Sequence, residues 1–126
     1  MMKPIPTIKK NKEFRIIYQR GKSVANRNLV LYYRKNQLTH SRIGITVSKK
    51  VGKSVVRNRV KRRLKEILRE KGDQLPVGYD LVWIARISCS DADYHTLQKA
   101  VAHLMNRTFF SKIISGKETT GKGSKE

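Results

Sequence analysis

Residues 54–72 combine an apolar stripe with dense positive charge on one predicted helix. The apolar residues recur every three or four positions, as they do on a helix with a single buried face. They are Val56, Val60, Leu64, Ile67 and Leu68. Ser54 is placed to cap this helix, which runs over residues 55 to about 71, and Gly72 follows as its stop. Since the stripe has to pack on a sheet, the fold must hold this helix at the surface with its cations outward.

The residues before this helix predict a shorter helix followed by strands. Asn11 is placed to accept hydrogen bonds from the open amides of a helix that runs through Tyr18, and Gly21 lies just past its end. Residues 29–34 and 42–47 have the composition and alternation of strands. The turn between these two strands predicts an antiparallel hairpin.

Downstream of the basic helix, residues 79–85 are predicted as a buried strand and residues 93–107 as a last helix. Asp91 or Asp93 starts that helix, where the helix dipole favours a negative charge. The resulting order is helix, strands, helix, strand, helix. It predicts an α+β fold in which helices pack on a mixed sheet.

Positive charge is concentrated in the first part of the chain. The net charge is +20, and residues 1–71 hold 22 of the 29 basic residues but 3 of the 9 acidic ones. Residues 72–110 hold 3 basic and 4 acidic residues. A segregated basic patch indicates a surface for a polyanion. Residues 1–110 are expected to form one domain, and residues 111–126 a flexible basic tail.

Cysteine content and hydropathy restrict the cellular compartments in which the protein is expected. The single cysteine, Cys89, has no partner for an internal disulfide, so a reducing compartment is expected. The chain also lacks a run of roughly 18 apolar residues that could cross a bilayer. We therefore expect a cytoplasmic protein.

The basic residues of the long helix cover the side opposite its apolar stripe. Like charges at these spacings repel each other, and only Glu66 and Glu70 oppose them. An ordinary solvated helix face is the alternative, but such a face normally alternates signs. We expect contact with nucleic acid, because phosphates would neutralise this cluster. The face consists of Asn58, Arg62, Lys65 and Arg69, flanked by Arg57 and Lys61 on one side and by Arg59 and Arg63 on the other.

Aromatic residues lie within the same basic half. Phe14 and Tyr18 share a helix face, and Tyr32 and Tyr33 point to opposite sides of a strand, so at most one of that pair joins any common surface. A helical aromatic pair usually belongs to the core. The alternative is a platform on which unpaired bases stack beside cations. Those cations are Arg15, Lys49 and Lys50.

Known catalytic motifs are incomplete. Gly52, Lys53 and Ser54 resemble the end of a phosphate-binding loop, but the glycine that this loop requires earlier is Val47. Asp91 and Asp93 suit a helix start better than a metal site, and Cys89 is predicted to pack in the core. The three histidines lack a carboxylate or cysteine at ligand or triad spacing, and surface or packing roles are expected for them. They are His40, His95 and His103.

Taken together, three motifs resemble the protein subunit of bacterial ribonuclease P. They are Arg57-Asn58-Arg59-Val60-Lys61-Arg62, the preceding Ser48-Lys49-Lys50-Val51-Gly52, and Ser23-Val24-Ala25-Asn26-Arg27. The likeness covers residues 9–107 and includes the spacing of Phe14 and Tyr18 before Gly21. It implies a fold of the ribosomal protein S5 domain 2-like type. In that fold helices pack on a small mixed four-stranded sheet, the order is α-β-β-β-α-β-α, and the β-α-β crossover has an unusual left hand.

The resemblance also implies a ribonucleoprotein endonuclease that removes the 5′ leader from precursor tRNA. Its catalytic magnesium is held by the RNA subunit, so the protein itself carries no catalytic residue and no recognisable metal site. The expected partners are the catalytic RNA and precursor tRNA, with no membrane and no obligate protein partner. By position, the residues expected to contact the catalytic RNA are Lys53, Arg57, Asn58, Arg59, Lys61, Arg62, Arg63 and Lys65. The cleft expected to receive the leader is lined by Phe14, Tyr18, Tyr32, Lys49 and Lys50.

Two other functions are compatible with the composition. A structural RNA-binding protein of ribosomal type would show the same charge. A module that binds membrane surfaces through a basic amphipathic helix is the other candidate. The stripe of Val, Leu and Ile without Trp or Phe argues against the membrane module, since it is typical of a helix packed on a core.

Overall fold

The structure is a computed structural model, and it describes residues 5–108. The elements follow the predicted order α-β-β-β-α-β-α, which confirms the α+β class. They are α1 (Asn11–Arg20), β1 (Lys22–Ala25), β2 (Leu29–Lys35), β3 (Arg42–Val47), α2 (Ser54–Glu70), β4 (Tyr79–Ala85) and α3 (Tyr94–Arg107). Short 3₁₀ turns follow β3, α2 and β4; they span Lys49–Val51, Gly72–Gln74 and Ile87–Ser90. The predicted tail, residues 111–126, lies outside the described residues.

The four strands form one mixed sheet in the order β1-β2-β4-β3. Strand β4 lies between β2 and β3, antiparallel to the first and parallel to the second, so that Trp83 is paired with both Leu31 and Ile45. The predicted antiparallel hairpin between residues 29–34 and 42–47 is therefore wrong. The reason is burial: β4 is covered on both faces, and a strand of that kind is stable at the centre of a sheet rather than at its edge.

The two faces of the sheet are covered by different helices. Helices α2 and α3 pack on one face around the fully buried Trp83, and Leu64 and Leu97 contribute to the same core. The apolar stripe of α2 is buried there as predicted, with Val56 only partly so. Helix α1 lies on the opposite face, where its buried Ile17 packs in a small cluster with Val82. Ile8 of the segment before α1 joins this cluster. Beside them Tyr32 stays partly exposed, so part of the sheet on this face remains open.

Helix starts differ in detail from the predictions. Helices α1 and α2 begin one residue earlier than predicted, so their N-caps are Lys10 and Lys53, and neither Asn11 nor Ser54 caps its helix. Helix α2 follows a 3₁₀ turn and Gly52 at φ 155°. This backbone turn leads into the helix at Ser54, and no side chain caps its first turn. In α1 the backbone N–H of Lys10 donates to Glu13 Oε1 at 3.4 Å, so a residue inside the helix supplies the acceptor. Helix α3 has the predicted aspartate cap.

Candidate nucleic-acid interface

A row of three aromatic rings lies between α1 and the sheet. The ring centroids of Phe14 and Tyr18 are 6.3 Å apart, and Tyr18 meets Tyr32 of β2 edge to face at 5.0 Å. Such tilted arrangements suit the ring quadrupoles. The row is not sealed, since Tyr18 keeps 38% of its surface exposed. The structure thus brings together the three aromatic residues predicted for one cleft, and it leaves them accessible from solvent.

The place of Phe14 depends on a glycine in β3. A Cβ atom on Gly44 would lie 2.7 Å from Cε1 of Phe14, so the ring rests directly on the strand backbone. Gly44 was not among the residues predicted for the cleft. The available signal was a glycine inside the alternating run Ile43, Ile45 and Val47, which in a strand often marks a close approach.

Beside the rings, a cavity of about 410 Å³ is lined by Asn11, Phe14, Arg15, Tyr18 and Thr46. Arg15 therefore places a cation next to the aromatic row, as predicted. Lys49 and Lys50 are exposed in the turn that follows β3, at the same strand end as Thr46. Tyr33 is buried on the opposite face of the sheet. This confirms that only one of the two neighbouring tyrosines joins the cleft.

The outer face of α2 is exposed, and most of its polar side chains have no partner among the described residues. Within residues 5–108, five of them form neither a hydrogen bond nor an ion pair through the side chain: Lys53, Asn58, Lys61, Arg62 and Lys65. Arg69 of the same face is paired with Glu66 at 3.2 Å. A row of exposed cations without carboxylates can bind successive phosphates of a nucleic acid.

Three arginines of α2 differ from this exposed row because they are half-buried and bonded to main-chain carbonyls. Arg57 Nε donates to the carbonyl of Gly52 at 3.1 Å. Arg59 and Arg63 reach the segment before α3, where they donate to the carbonyls of Ser90 at 3.3 Å and Ala92 at 3.1 Å. A guanidinium has further N–H donors, so each can still meet a phosphate. The structural role of these three arginines was not predicted, although their position beside the apolar stripe is a signal for it.

The aromatic row and the basic helix meet around the edge of β3. A second cavity, of about 370 Å³, lies between α1, β3, α2 and the segment before α1, and Phe14, Gly44 and Ile8 are among the residues that border it on one side. Lys61, Lys65 and Arg69 border it on the other. Phe14 lines both cavities, so the aromatic row borders the same cavity as the cations of α2.

An ion-pair network fixes α1 against the sheet. Arg42 of β3 donates to both carboxylate oxygens of the buried Asp80, at 2.9 and 2.7 Å, and to Glu13 of α1 at 3.1 Å. Its hydrogen bond to Asp80 raises the pKa of the Arg42 guanidinium, and its bond to Glu13 lowers the pKa of that carboxyl. This network was not predicted from the sequence, because it depends on strand neighbours that the chain order does not reveal.

The remaining candidate residues have structural or surface positions. Cys89 is buried, its thiol donates to the carbonyl of Asn28 at 3.1 Å, and burial raises its pKa. This confirms the predicted packing role. The three histidines are exposed: His40, His95 and His103.

Within residues 5–108, no three His, Cys, Asp or Glu side chains lie close enough to hold a metal ion. None of the helices in that range has the length and apolar character needed to span a membrane.

The chain is similar to proteins of one known family. Residues 2–108 match the family model described as Ribonuclease P. A ribonuclease P protein component from Clostridium botulinum (strain Langeland) is 54% identical over 101 residues, which is 79% of this chain and 91% of that protein. One from Clostridioides difficile (strain 630) is 48% identical over 105 residues, which is 82% of this chain and 92% of that protein.

Solved structures agree with these sequence matches. The Staphylococcus aureus RNase P protein superposes with a TM-score of 0.75 at 38% identity, covering 79% of this chain and 92% of that one. The RNase P protein from Thermotoga maritima also gives a TM-score of 0.75, at 34% identity, with 81% and 96% covered. The family model covers most of the chain, and the two clostridial ribonuclease P protein components are 54% and 48% identical to it over 79% and 82% of its length. The chain therefore belongs to the family of ribonuclease P protein components.

Proposed function

We propose that this chain is the protein subunit of a bacterial, cytoplasmic ribonucleoprotein endoribonuclease that removes the 5′ leader from precursor tRNA by phosphodiester hydrolysis. The observation that carries the proposal is the meeting of the exposed aromatic row with the basic face of α2 at Phe14. Stacking surfaces beside phosphate-binding cations are the usual means of holding unpaired nucleic acid. Membership of the family supports the catalytic RNA and precursor tRNA as the partners in this proposal. No membrane and no further protein is required.

In this proposal the two surfaces have separate tasks. The basic helix binds the catalytic RNA, through Lys53, Arg57, Asn58, Arg59, Lys61, Arg62, Arg63 and Lys65. The cleft binds the single-stranded leader, through Phe14, Tyr18, Tyr32, Lys49 and Lys50. Stacking is worth about 1–3 kcal/mol per base, which is enough to favour a precursor over a mature tRNA that lacks the leader.

Magnesium, which the RNA subunit is proposed to carry, supplies the metal-ion chemistry of the cleavage. The residues of this chain contribute charge: cations along α2 neutralise phosphates that would otherwise need counterions. The complex should therefore need less magnesium than the RNA alone. The experiment that tests the function is processing of precursor tRNA by a bacterial catalytic RNA at low magnesium, with and without this protein.

We expect a marked increase in cleavage at the leader junction when the protein is present. A structural RNA-binding protein of ribosomal type predicts no change in processing, and that result would overturn the proposal. A Phe14→Ala variant serves as an internal comparison, because it should still assemble on the RNA through α2.

The separation of tasks predicts how the aromatic residues affect substrate choice. Phe14→Ala or Tyr32→Ala should weaken binding of precursor tRNA to the reconstituted enzyme by about tenfold, as expected for the loss of one stacked base. Binding of mature tRNA should stay unchanged because it has no leader. The measurement is the pair of dissociation constants for the two tRNAs. Equal losses for both would show that the rings support the fold and do not bind the leader.

A further inference from the structure

The ion-pair network of Glu13, Arg42 and Asp80 joins the first turn of α1 to the centre of the sheet. Arg42 uses Nε and Nη2 for the two carboxylate oxygens of Asp80. Its remaining nitrogen, Nη1, donates to Glu13 at 3.1 Å. Asn36 also donates to the Asp80 carboxylate, at 2.8 Å. The inner end of the network is therefore held from two sides.

The direction in which Arg42 meets α1 is fixed by this inner end. The side chain of Asp80 is 7% exposed and that of Arg42 is 20% exposed. A guanidinium that binds a carboxylate through two N–H groups has a defined plane and orientation. Nη1 therefore points in a set direction, and the Glu13 carboxylate has to come to it. Strand β3 thus offers α1 a fixed point of attachment.

Apolar packing alone leaves the rotation of α1 poorly defined. Among the residues of α1, all of which the structure describes, only Ile17 is buried. It packs in a cluster with Ile8 and Val82. A helix that is held on a sheet by one buried side chain can turn about that contact. The ion pair between Glu13 and Arg42 supplies a second attachment, which opposes such a turn.

This second attachment lies beside the aromatic row. Arg42 is two residues before Gly44 in β3, so both residues face α1 on the same side of the sheet. Glu13 directly precedes Phe14 in α1. The Phe14 ring rests on the strand, where a Cβ atom on Gly44 would lie 2.7 Å from it. A turn of α1 would move this ring away from Gly44.

We propose that Glu13 and Arg42 are positioning residues for the aromatic row. They set the rotation of α1 that holds Phe14 on Gly44, and through that ring they act on the preference for precursor over mature tRNA. The inference rests on the proposed function, in which the leader stacks on the rings. Buried ion pairs often contribute little to stability, and a role in orientation agrees with that.

The test removes the attachment from the α1 side. Glu13→Ala is suitable because the Glu13 side chain is 30% exposed and Arg42 keeps its bonds to Asp80. Substitution of Arg42 would instead leave a buried carboxylate unpaired. Glu13→Gln retains an oxygen that can accept from Arg42. Asp73→Ala is the matched control, since it removes the same charge from an exposed position in the turn after α2.

In the reconstituted enzyme, Glu13→Ala should bind precursor tRNA about threefold more weakly, within the range for an exposed ion pair. Binding of mature tRNA should not weaken. Charge alone predicts the opposite sign, because removing an acidic residue from a chain of net charge +20 favours binding to any RNA. Asp73→Ala reports this charge effect, which should be equal for the two tRNAs. Glu13→Gln should lose less than Glu13→Ala.

A double variant shows whether Glu13 acts through the ring. If it does, Glu13→Ala combined with Phe14→Ala should bind precursor tRNA no more weakly than Phe14→Ala alone, which is expected to lose about tenfold. Independent roles predict additive free energies, and thus a loss of about thirtyfold in the double variant. The measurement is the pair of dissociation constants for precursor and mature tRNA in each variant.

Additive losses, equal weakening for both tRNAs, or equal losses in the two Glu13 variants would overturn the inference. It is also overturned if Glu13→Ala keeps the wild-type preference while Phe14→Ala loses it, a result that leaves the proposed function intact. If Phe14→Ala itself keeps the preference for precursor tRNA, stacking of the leader on this ring is wrong, and the inference falls with it.

Discussion

At the residue scale, the cleft depends on contacts that local sequence patterns predict only in part. The spacing of Phe14 and Tyr18 predicts a shared helix face, and alternation separates Tyr32 from Tyr33. Both expectations agree with the structure. The support of Phe14 by Gly44 was not predictable in the same way, because it joins residues 30 positions apart whose contact requires α1 to lie across β3.

Gly44→Ala tests that support. The added methyl group would lie 2.7 Å from the Phe14 ring, so the ring has to move away from the strand. We expect a loss of about 1 kcal/mol in the free energy of unfolding, at the low end for overpacking. Binding of precursor tRNA should weaken while that of mature tRNA does not. Urea denaturation and the two dissociation constants measure these effects.

Gly72→Ala is the matched control, since no atom lies within 4 Å of the position that its methyl group would take. It should leave both stability and precursor binding close to those of the wild type. If Gly44→Ala behaves like this control, the strand backbone does not hold the Phe14 ring, and the close contact between the ring and β3 is incorrect.

At the element scale, the sequence predicts which segments form helices and strands, but not how the strands pair. Local signals are sufficient for β4, whose predicted bounds agree with the structure, and for α3. Pairing is a long-range property. Strand β4 lies between β2 and β3, where both of its apolar faces are buried. The hairpin was predicted because β2 and β3 are neighbours in the chain. The basic helix shows the same limit, since Arg59 and Arg63 find carbonyl partners far along the chain.

Arg62→Ala and Arg63→Ala separate the two kinds of arginine on α2. Arg62 is exposed, so its loss should change stability by less than about 0.5 kcal/mol. It should weaken assembly with the catalytic RNA and reduce the salt slope by about one, the value for one phosphate. Arg63 donates to the carbonyl of Ala92, so its loss should also cost about 1 kcal/mol of stability.

Urea denaturation of the free protein and RNA-binding titrations over a range of salt concentrations supply the comparison. An unchanged salt slope for Arg62→Ala would argue against a phosphate contact at that position. Equal stability losses in the two variants would contradict the distinction between exposed and tethered arginines.

The start of α3 predicts a dependence on pH. Asp93 accepts a hydrogen bond from the backbone N–H of Thr96 at 2.8 Å, and this bond lowers the pKa of the Asp93 carboxyl. A depressed carboxyl pKa stabilises the fold above the unfolded-state value of about 3.9. That stabilisation is lost as the pH falls through the folded-state pKa. Asp93→Ala should therefore lower Tm at neutral pH, and the difference from the wild type should shrink in acid.

Asp93→Asn distinguishes the cap from the charge, because asparagine caps a helix nearly as well without ionising. Its Tm should lie near that of the wild type at neutral pH. Thermal melts over a series of pH values provide the measurement. A difference between the wild type and Asp93→Ala that persists unchanged in strong acid would show that the ionised carboxylate does not stabilise the helix.

At the scale of the whole molecule, positive charge is concentrated in residues 1–71, whereas residues 72–110 are nearly neutral. The net charge is +20, and residues 1–71 hold 22 of the 29 basic residues. Within residues 5–108, three salt bridges offset this charge, and the one on α2 joins Arg69 to Glu66. Sequence alone predicts the charge segregation. Its consequence for folding follows from the structure, which aligns the exposed cations along one helix face.

Such alignment makes stability depend on anions. Repulsion among the cations of α2 favours the unfolded chain, and an anion bound between them favours the folded one. A ligand of the native state adds RT ln(1 + [L]/Kd) to the free energy of unfolding. We therefore expect Tm of the isolated protein to rise with sulfate, measured against chloride at matched ionic strength. The rise should saturate, whereas general exclusion of sulfate from protein surfaces increases stability steadily with concentration.

Lys61→Gln combined with Lys65→Gln supplies the decisive comparison, because both side chains are exposed on α2 and border the same cavity. Removing two repelling charges should raise Tm in chloride and reduce the gain from sulfate. If the variant keeps the full sulfate gain, the stabilising anions bind elsewhere. If the wild type melts at the same temperature in both salts, repulsion among its own cations does not limit its stability. The folded protein then does not need the RNA partner to neutralise its charge.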